Sequence, residues 1–271
     1  MRTLEFSYST TVAFSEPVLS HDFVLRCLPR STDGQTVRAR VDIAPEVPFD
    51  VQTDSFGNSM AVGTVLEPHD RFSFTTVGTA VVDHAARKPQ VAHPLFRYES
   101  KLTAMTPEML AFLADAASDG MRKMVLGNMG AESSPVFTCE HLMHMVHATL
   151  KYAPGSTTVE TTASQAFEQG KGVCQDFAHV LIALIRACRI PARYVSGLTV
   201  GEGATHAWVE ANLAGSWIGL DPTRDQLVDE SYLRLAVGRD WSDCPIERGT
   251  FQGFAQQTQS VFASVADVTA E

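Results

Sequence analysis

Basic side chains are in short supply. Lys and Arg total 21 against 31 Asp and Glu, a formal charge of −10. A chain this acidic lacks the electropositive surface that draws nucleic acid or an anionic membrane, and neither is expected as a partner. Long apolar runs are missing too. No stretch approaches the ~20 residues that cross a bilayer. The opening Met1-Arg2-Thr3-Leu4-Glu5-Phe6 lacks the apolar segment of a signal peptide, so the expected location is the cytoplasm. Cysteine is sparse: Cys27, Cys139, Cys174, Cys188 and Cys244 are odd in number, with no C-x-x-C spacing. That argues against a disulfide framework and for reduced thiols. The remainder is ordinary. With 45% hydrophobic and 19% charged residues, the chain is globular rather than disordered. Its length suits one large domain or two smaller ones.

The first part of the chain is written in short alternating segments. Residues 4–9, 22–28, 35–41, 49–53, 60–66 and 71–82 read as strands, with a hairpin turn at Ser55-Phe56-Gly57-Asn58-Ser59. Strands at this spacing predict an antiparallel β-sandwich over residues 1–85. Lys88-Pro89 and His93-Pro94 break regular structure, and a second domain is expected over 86–271. Thr106 and Pro107 open a helix as N-cap and first helical residue, with Met109, Leu110, Phe112, Leu113 and Ala116 inward and Gly120 as its stop. Residues 139–150 read as another helix, with Leu142, Met145, Val146 and Leu150 inward. His141, His144 and His147 lie on roughly one side of it. A metal site there would need an acidic or cysteine partner that the sequence does not offer, so a polar face is the reading and no metal or other cofactor is expected.

The centre of the chain is Gly170 to Cys188. It opens with Gly170-Lys171-Gly172-Val173 and becomes an apolar helix, with Phe177, Val180, Leu181, Leu184, Ile185 and Cys188 at helical spacing. A helix so broadly apolar is buried. Cys174 falls at its start, where free N–H groups and the positive dipole end favour a thiolate. Cys188, on the apolar stripe of the same helix, is a core residue. A thiolate nucleophile needs a base, and the base needs an orienting group. The strand Thr205-His206-Ala207-Trp208-Val209-Glu210 carries a histidine. After a turn at Gly215, Trp217-Ile218-Gly219-Leu220-Asp221 forms a second strand, stopped by Pro222. In a hairpin, His206 and Asp221 become cross-strand neighbours.

Gly172-Val173-Cys174-Gln175-Asp176-Phe177-Ala178-His179, Thr205-His206-Ala207-Trp208-Val209 and Leu220-Asp221-Pro222-Thr223 resemble the transglutaminase-like superfamily of papain-fold cysteine enzymes. The likeness is nearest to the bacterial branch described as transglutaminase-like cysteine proteases. The resemblance implies Cys174 as nucleophile, His206 as general base and acid, and Asp221 as the carboxylate that orients the imidazole. It also implies an α+β fold: a papain-like core with the Cys-bearing helix packed on an antiparallel β-sheet, preceded by an N-terminal β-sandwich domain.

Three further residues are candidates for substrate contact: Gln175, Asp176 and Trp208. Each has a plainer reading. Gln175 follows the cysteine, so the upstream glutamine of papain-type enzymes does not map onto it. Asp176 sits in the first helical turn and suits the dipole. Trp208 either packs in the core or walls the cleft. His179 reads as a packed core histidine, and Asp225 as a neighbour of Asp221 outside the motif. The backbone N–H of Cys174 is one oxyanion donor; the second is unassigned. Residues 227–250 are expected to be irregular structure over the catalytic side, and 251–262 a last strand. The expected activity is cleavage of a peptide or isopeptide amide in a peptide or protein substrate, through a thioester. Acyl transfer to an amine uses the same intermediate, and a non-catalytic peptide-binding module is the reading from a different class. Oligomeric state has no signature in the sequence.

Overall fold

The computed structural model describes residues 1–116 and 135–269. It is a mixed α+β structure, with two large β-sheets, a short parallel pair of strands and a small group of helices. β1 (Arg2–Leu25), β2 (Gln35–Ala44), β3 (Phe49–Thr53), β4 (Ser59–Val65) and β5 (His69–Val82) are followed by α1 (Pro107–Ala116), α2 (Pro135–Thr149), β6 (Lys151–Tyr152), α3 (Ala163–Gln169), β7 (Lys171–Gly172) and α4 (Cys174–Ala187). β8 (Ala192–Thr199), β9 (Gly201–Gly203), β10 (His206–Leu213), β11 (Ser216–Asp221), β12 (Gln226–Leu227), β13 (Tyr232–Gly238), β14 (Glu247–Gln252) and β15 (Gln257–Asp267) complete the chain. Among the described residues, no helix is long and apolar enough to cross a membrane.

The first sheet is built on β1. Residues 4–9 and 22–25, from segments expected as separate strands, lie near the two ends of this one strand of 24 residues, which stops before 26–28. Its N-terminal part pairs with β5 and β15 and its C-terminal part with β4 and β14. Leu4, Phe6, Tyr8, Thr10, Val12, Phe14 and Val18 face inward at even positions; from His21 onward the inward positions are odd. The change of phase falls at Ser20, whose φ is 46°, where the pairing register also shifts. The pleat is period two, so one irregular residue turns the strand and lets both halves bury the same core.

The end of the chain was expected in the second domain, 86–271, with 251–262 as one last strand; it forms two strands, β14 and β15. They instead pair with β1, β15 over eleven residues from Leu4↔Asp267 to Phe14↔Gln257. β9 joins the same sheet through β15. The division at residue 85 therefore does not follow the sheets: the C-terminal strands close the N-terminal layer.

The second sheet has the order β12-β11-β10-β8-β13, antiparallel throughout. β13 corrects the expectation of irregular structure over 227–250. Tyr232, Leu233, Leu235, Ala236 and Val237 are all buried, an apolar run that had the composition of a strand. α4 packs on this sheet. Its Phe177, Leu181, Leu184 and Ile185 share a core with Ala192, Tyr194, Val209 and Leu220. Cys188 is 5% exposed in that core. Leu198, Leu233 and Leu235 of the second sheet belong to the core of the first, so the two layers share buried surface. α1 opens as expected, with Thr106 Oγ1 accepting from the Met109 N–H at 3.3 Å. Gly120, its expected stop, lies outside the described residues.

Candidate active site

The site begins with a turn. α3 ends at Gly170, whose φ of 63° is left-handed backbone that glycine adopts without strain. The chain crosses β7 and enters α4 at Cys174, with Val173 as N-cap. Valine has no side-chain oxygen for the role. Asp176, three residues on, reaches back instead: its Oδ2 accepts from the Val173 N–H at 2.7 Å and from the Thr157 hydroxyl at 2.7 Å. Gly172 leaves room for that carboxylate, since a Cβ there would stand 2.5 Å from the Asp176 Cβ. Burial raises the Asp176 pKa against these two hydrogen bonds. The result is a rigid helix entry with the half-buried Cys174 thiol at the positive end of α4.

β10 brings His206 beside that thiol, close enough for Cys174 to raise the imidazole pKa; His206 Nε2 lies 2.7 Å from Asp221 Oδ2, which leaves Nδ1 free of that bond. The register pairs Val209 with Leu220. Asp221 is thus diagonal to His206 rather than directly opposite, still within reach on one face. Asp221 is fully buried. Its Oδ2 also accepts from the Tyr232 hydroxyl at 2.8 Å, and its Oδ1 from the backbone N–H groups of Thr223 and Arg224 at 3.0 and 3.1 Å. Burial alone would raise its pKa; His206, Tyr232 and the loop N–H groups hold it below the usual carboxylate range. Burial likewise opposes the charged form of His206, yet the bonds to Asp221 and Cys174 win and raise it to about 9.

The three candidate contact residues take other places. The Gln175 amide donates to the Val159 carbonyl at 3.1 Å and so ties the segment before α3 to the helix. Asp176 is 1% exposed and serves the helix entry. Trp208 is 1% exposed; its ring lies under His206, 6.5 Å between centroids, and edge-on to Tyr232 at 5.3 Å. It supports the imidazole from inside and forms no wall of the cleft. His179 is buried, accepts from the Trp241 N–H at 3.1 Å, and is pushed by burial down to about 4. The three α2 histidines go separate ways: His141 stacks on Phe137, His144 pairs with Asp225, and His147 bonds the Pro222 carbonyl. Among the described residues, no group of metal-binding side chains is assembled.

Two residues near the site had no place in the sequence reading. Tyr232 was hidden by the reading of 227–250 as irregular. Tyr152 is half-exposed beside Gly172; burial and the nearby Cys174 raise its phenol pKa.

Comparison with known proteins gives the family and the fold. Residues 4–81 match the bacterial transglutaminase-like N-terminal region, and residues 123–222 the transglutaminase-like superfamily. The uncharacterized protein Mb2599c of Mycobacterium bovis is 32% identical, over 82% of this chain and 78% of its own. The uncharacterized protein ML0607 of Mycobacterium leprae is 29% identical, over 91% and 92%. The solved structure of a proposed cysteine protease from Cytophaga hutchinsonii superposes with a TM-score of 0.71 at 22% identity, over 100% of this chain and 93% of that one, and shares the fold. With both of its regions matched, the chain belongs to the transglutaminase-like superfamily.

Proposed function

We propose that the protein is a cysteine hydrolase of peptide or isopeptide amide bonds, acting through Cys174, His206 and Asp221. One observation carries this reading: a half-buried thiol at a helix start lies beside an imidazole that a buried carboxylate holds by one nitrogen. His206 takes the Cys174 proton, and the thiolate attacks the substrate carbonyl carbon. The oxyanion meets the Cys174 backbone N–H, unpaired at the first turn of α4. The C–N bond breaks as His206 protonates the leaving amine, leaving a thioester on Cys174. Water, deprotonated by His206, then releases the acid and restores the thiol. Asp221 stays ionised and fixes the tautomer and orientation of the imidazole. The substrate is a peptide or protein. The five free cysteines favour a reducing compartment, the cytoplasm.

Mass-spectrometric reading of iodoacetamide alkylation, cysteine by cysteine, tests the activated pair. Fast labelling of Cys174 near neutral pH, slowed in His206→Ala, is the expected result. Equal labelling of Cys174 and Cys188 would remove the nucleophile assignment. Peptide substrates offered with and without a primary amine then report the acceptor: acid product alone means hydrolysis, and amide product means transfer.

A further inference from the structure

A second polar site lies along the strand that carries His206. Side chains alternate along β10, so His206, Trp208 and Glu210 project to one face. Glu210 is four residues from His206, roughly 13 Å along the strand. It is 1% exposed and sits among three guanidinium groups. Arg193 Nε and Nη2 reach its Oε2 at 2.8 and 2.6 Å, Arg234 Nη1 the same oxygen at 3.5 Å, and Arg87 Nη2 its Oε1 at 3.3 Å. One carboxylate balances one of the three charges. Arg193 is also stacked on Trp217, 3.9 Å from the ring centroid.

The three arginines line a cleft of about 780 Å3 between the two sheets. Arg30 and Lys88 are also in its lining, and Asp33 is the lining carboxylate. The walls are held in place. The Gln35 amide donates to the Arg30 and Arg234 carbonyls, Arg87 Nη1 donates to the Trp217 carbonyl, and Arg234 Nη2 donates to Thr32 Oγ1. Each guanidinium carries five N–H donors, and these bonds use a minority of them. In a protein of charge −10, this concentration of positive charge in a preformed concavity is local and directed. Burial, then the neighbouring Arg193 and Arg87 against the pull of Glu210, brings Arg234 down to about 10, which marks the crowding of like charge.

We propose that this cleft binds a phosphate-bearing small molecule, held by Arg87, Arg193 and Arg234 and approached past Arg30 and Lys88. A phosphate dianion matches the two guanidinium charges that Glu210 leaves over, and its oxygens suit the planar fork of arginine. The inference is independent of the amide-cleavage reading.

Calorimetric titration of the full chain tests it, with inorganic phosphate, an adenine nucleotide and citrate at matched ionic strength. Saturable binding of inorganic phosphate or the nucleotide at one per chain is expected, unchanged in Cys174→Ala and weakened about tenfold in Arg87→Gln. Arg87 touches Glu210 and its variant is open to misfolding, so Lys88→Gln, exposed and outside that cluster, is the second probe and should weaken binding several-fold. Tighter binding of the nucleotide than of inorganic phosphate would support an organic phosphate as the ligand. No saturable binding of either phosphate compound, binding unmoved by Lys88→Gln and Arg87→Gln, or citrate bound more tightly than both would overturn the proposal.

Discussion

Asp221 has a single buried position and four donors aimed at it: an imidazole, a phenol and two backbone N–H groups. In the proposed mechanism its charge stabilises the imidazolium that forms when His206 takes the Cys174 proton. Asp221→Asn should therefore cost ~10³–10⁴-fold in kcat, by analogy with other Cys/Ser–His–Asp systems, with the fold retained by circular dichroism. Tyr232→Phe makes a finer test. The phenol donates to the same oxygen as His206, so removing it leaves more of the carboxylate's charge for the imidazole. The His206 titration, raised to about 9, should move further up, read by NMR of the labelled ring. A downward movement would mean that Tyr232 does not compete with His206 for Asp221. The sign of the pH dependence follows from the same group. The folded value lies above the unfolded ~6.5, so the stability it contributes is complete below ~6.5 and is lost as pH rises through about 9. Activity that needs the imidazolium should fall on the same alkaline limb, and a kcat/KM profile flat to pH 10 would contradict it. The meeting of Cys174, His206 and Asp221 was readable because each stands in a short motif. Tyr232 was not, because nothing near it in the chain announces that its hydroxyl reaches Asp221, eleven residues back. Gln175 and Trp208 show the converse: adjacency to a motif residue says little about which way a side chain faces once the helix and strand are packed.

At the scale of elements, the helix entry is where sequence and geometry agree most closely. Gly170 takes the left-handed turn, and Gly172 makes space for the carboxylate that caps a valine N-terminus. Gly172→Ala would push the Asp176 carboxylate away from the Val173 N–H. The cost is that of a lost cap and a steric insertion, about 2 kcal/mol, seen as a lower Tm together with slower alkylation of Cys174. An unchanged Tm would mean that the helix entry tolerates the displaced carboxylate. β13 teaches the opposite lesson. It is the outer strand of its sheet, and its free edge is satisfied by side chains from the other layer. The Asn58 amide donates to the Val237 carbonyl and accepts from its N–H, both at 2.8 Å; Gln35 does the same for Arg234 at 2.9 and 3.1 Å. A strand whose edge partners are two distant amides leaves no local trace beyond its apolar run, and residues 227–250 consequently read as irregular. Asn58→Ala would strand a buried N–H and a buried carbonyl on Val237, at a cost of about 2 kcal/mol or more.

For the whole molecule, the question is whether the two matched regions behave as two folding units. The alternating N-terminal segments and the motif-bearing centre differ so plainly in pattern that a division near residue 85 is natural from sequence. Pairing partners hundreds of residues apart carry no such pattern, and β15 completes the first sheet across eleven paired positions on β1. Leu198, Leu233 and Leu235 of the second sheet are buried in the first sheet's core, and Asn58 and Gln35 cross the same seam. Independent domains would unfold in two calorimetric transitions. A shared core and an exchanged strand predict one, with the van't Hoff and calorimetric enthalpies equal. Asn58→Ala discriminates further, because a fault at the seam should lower that single transition as a unit. If it instead split the transition, the layers would be separable and the seam only a contact. Removing residues 247–271 should be far more damaging than loss of a surface tail: it bares one edge of β1 and leaves the places of Ala263 and Val265 empty. An exposed edge of that length invites self-association, so the shortened chain should sediment as aggregate, whereas a soluble monomer with a normal Tm would show that β14 and β15 are dispensable to the fold.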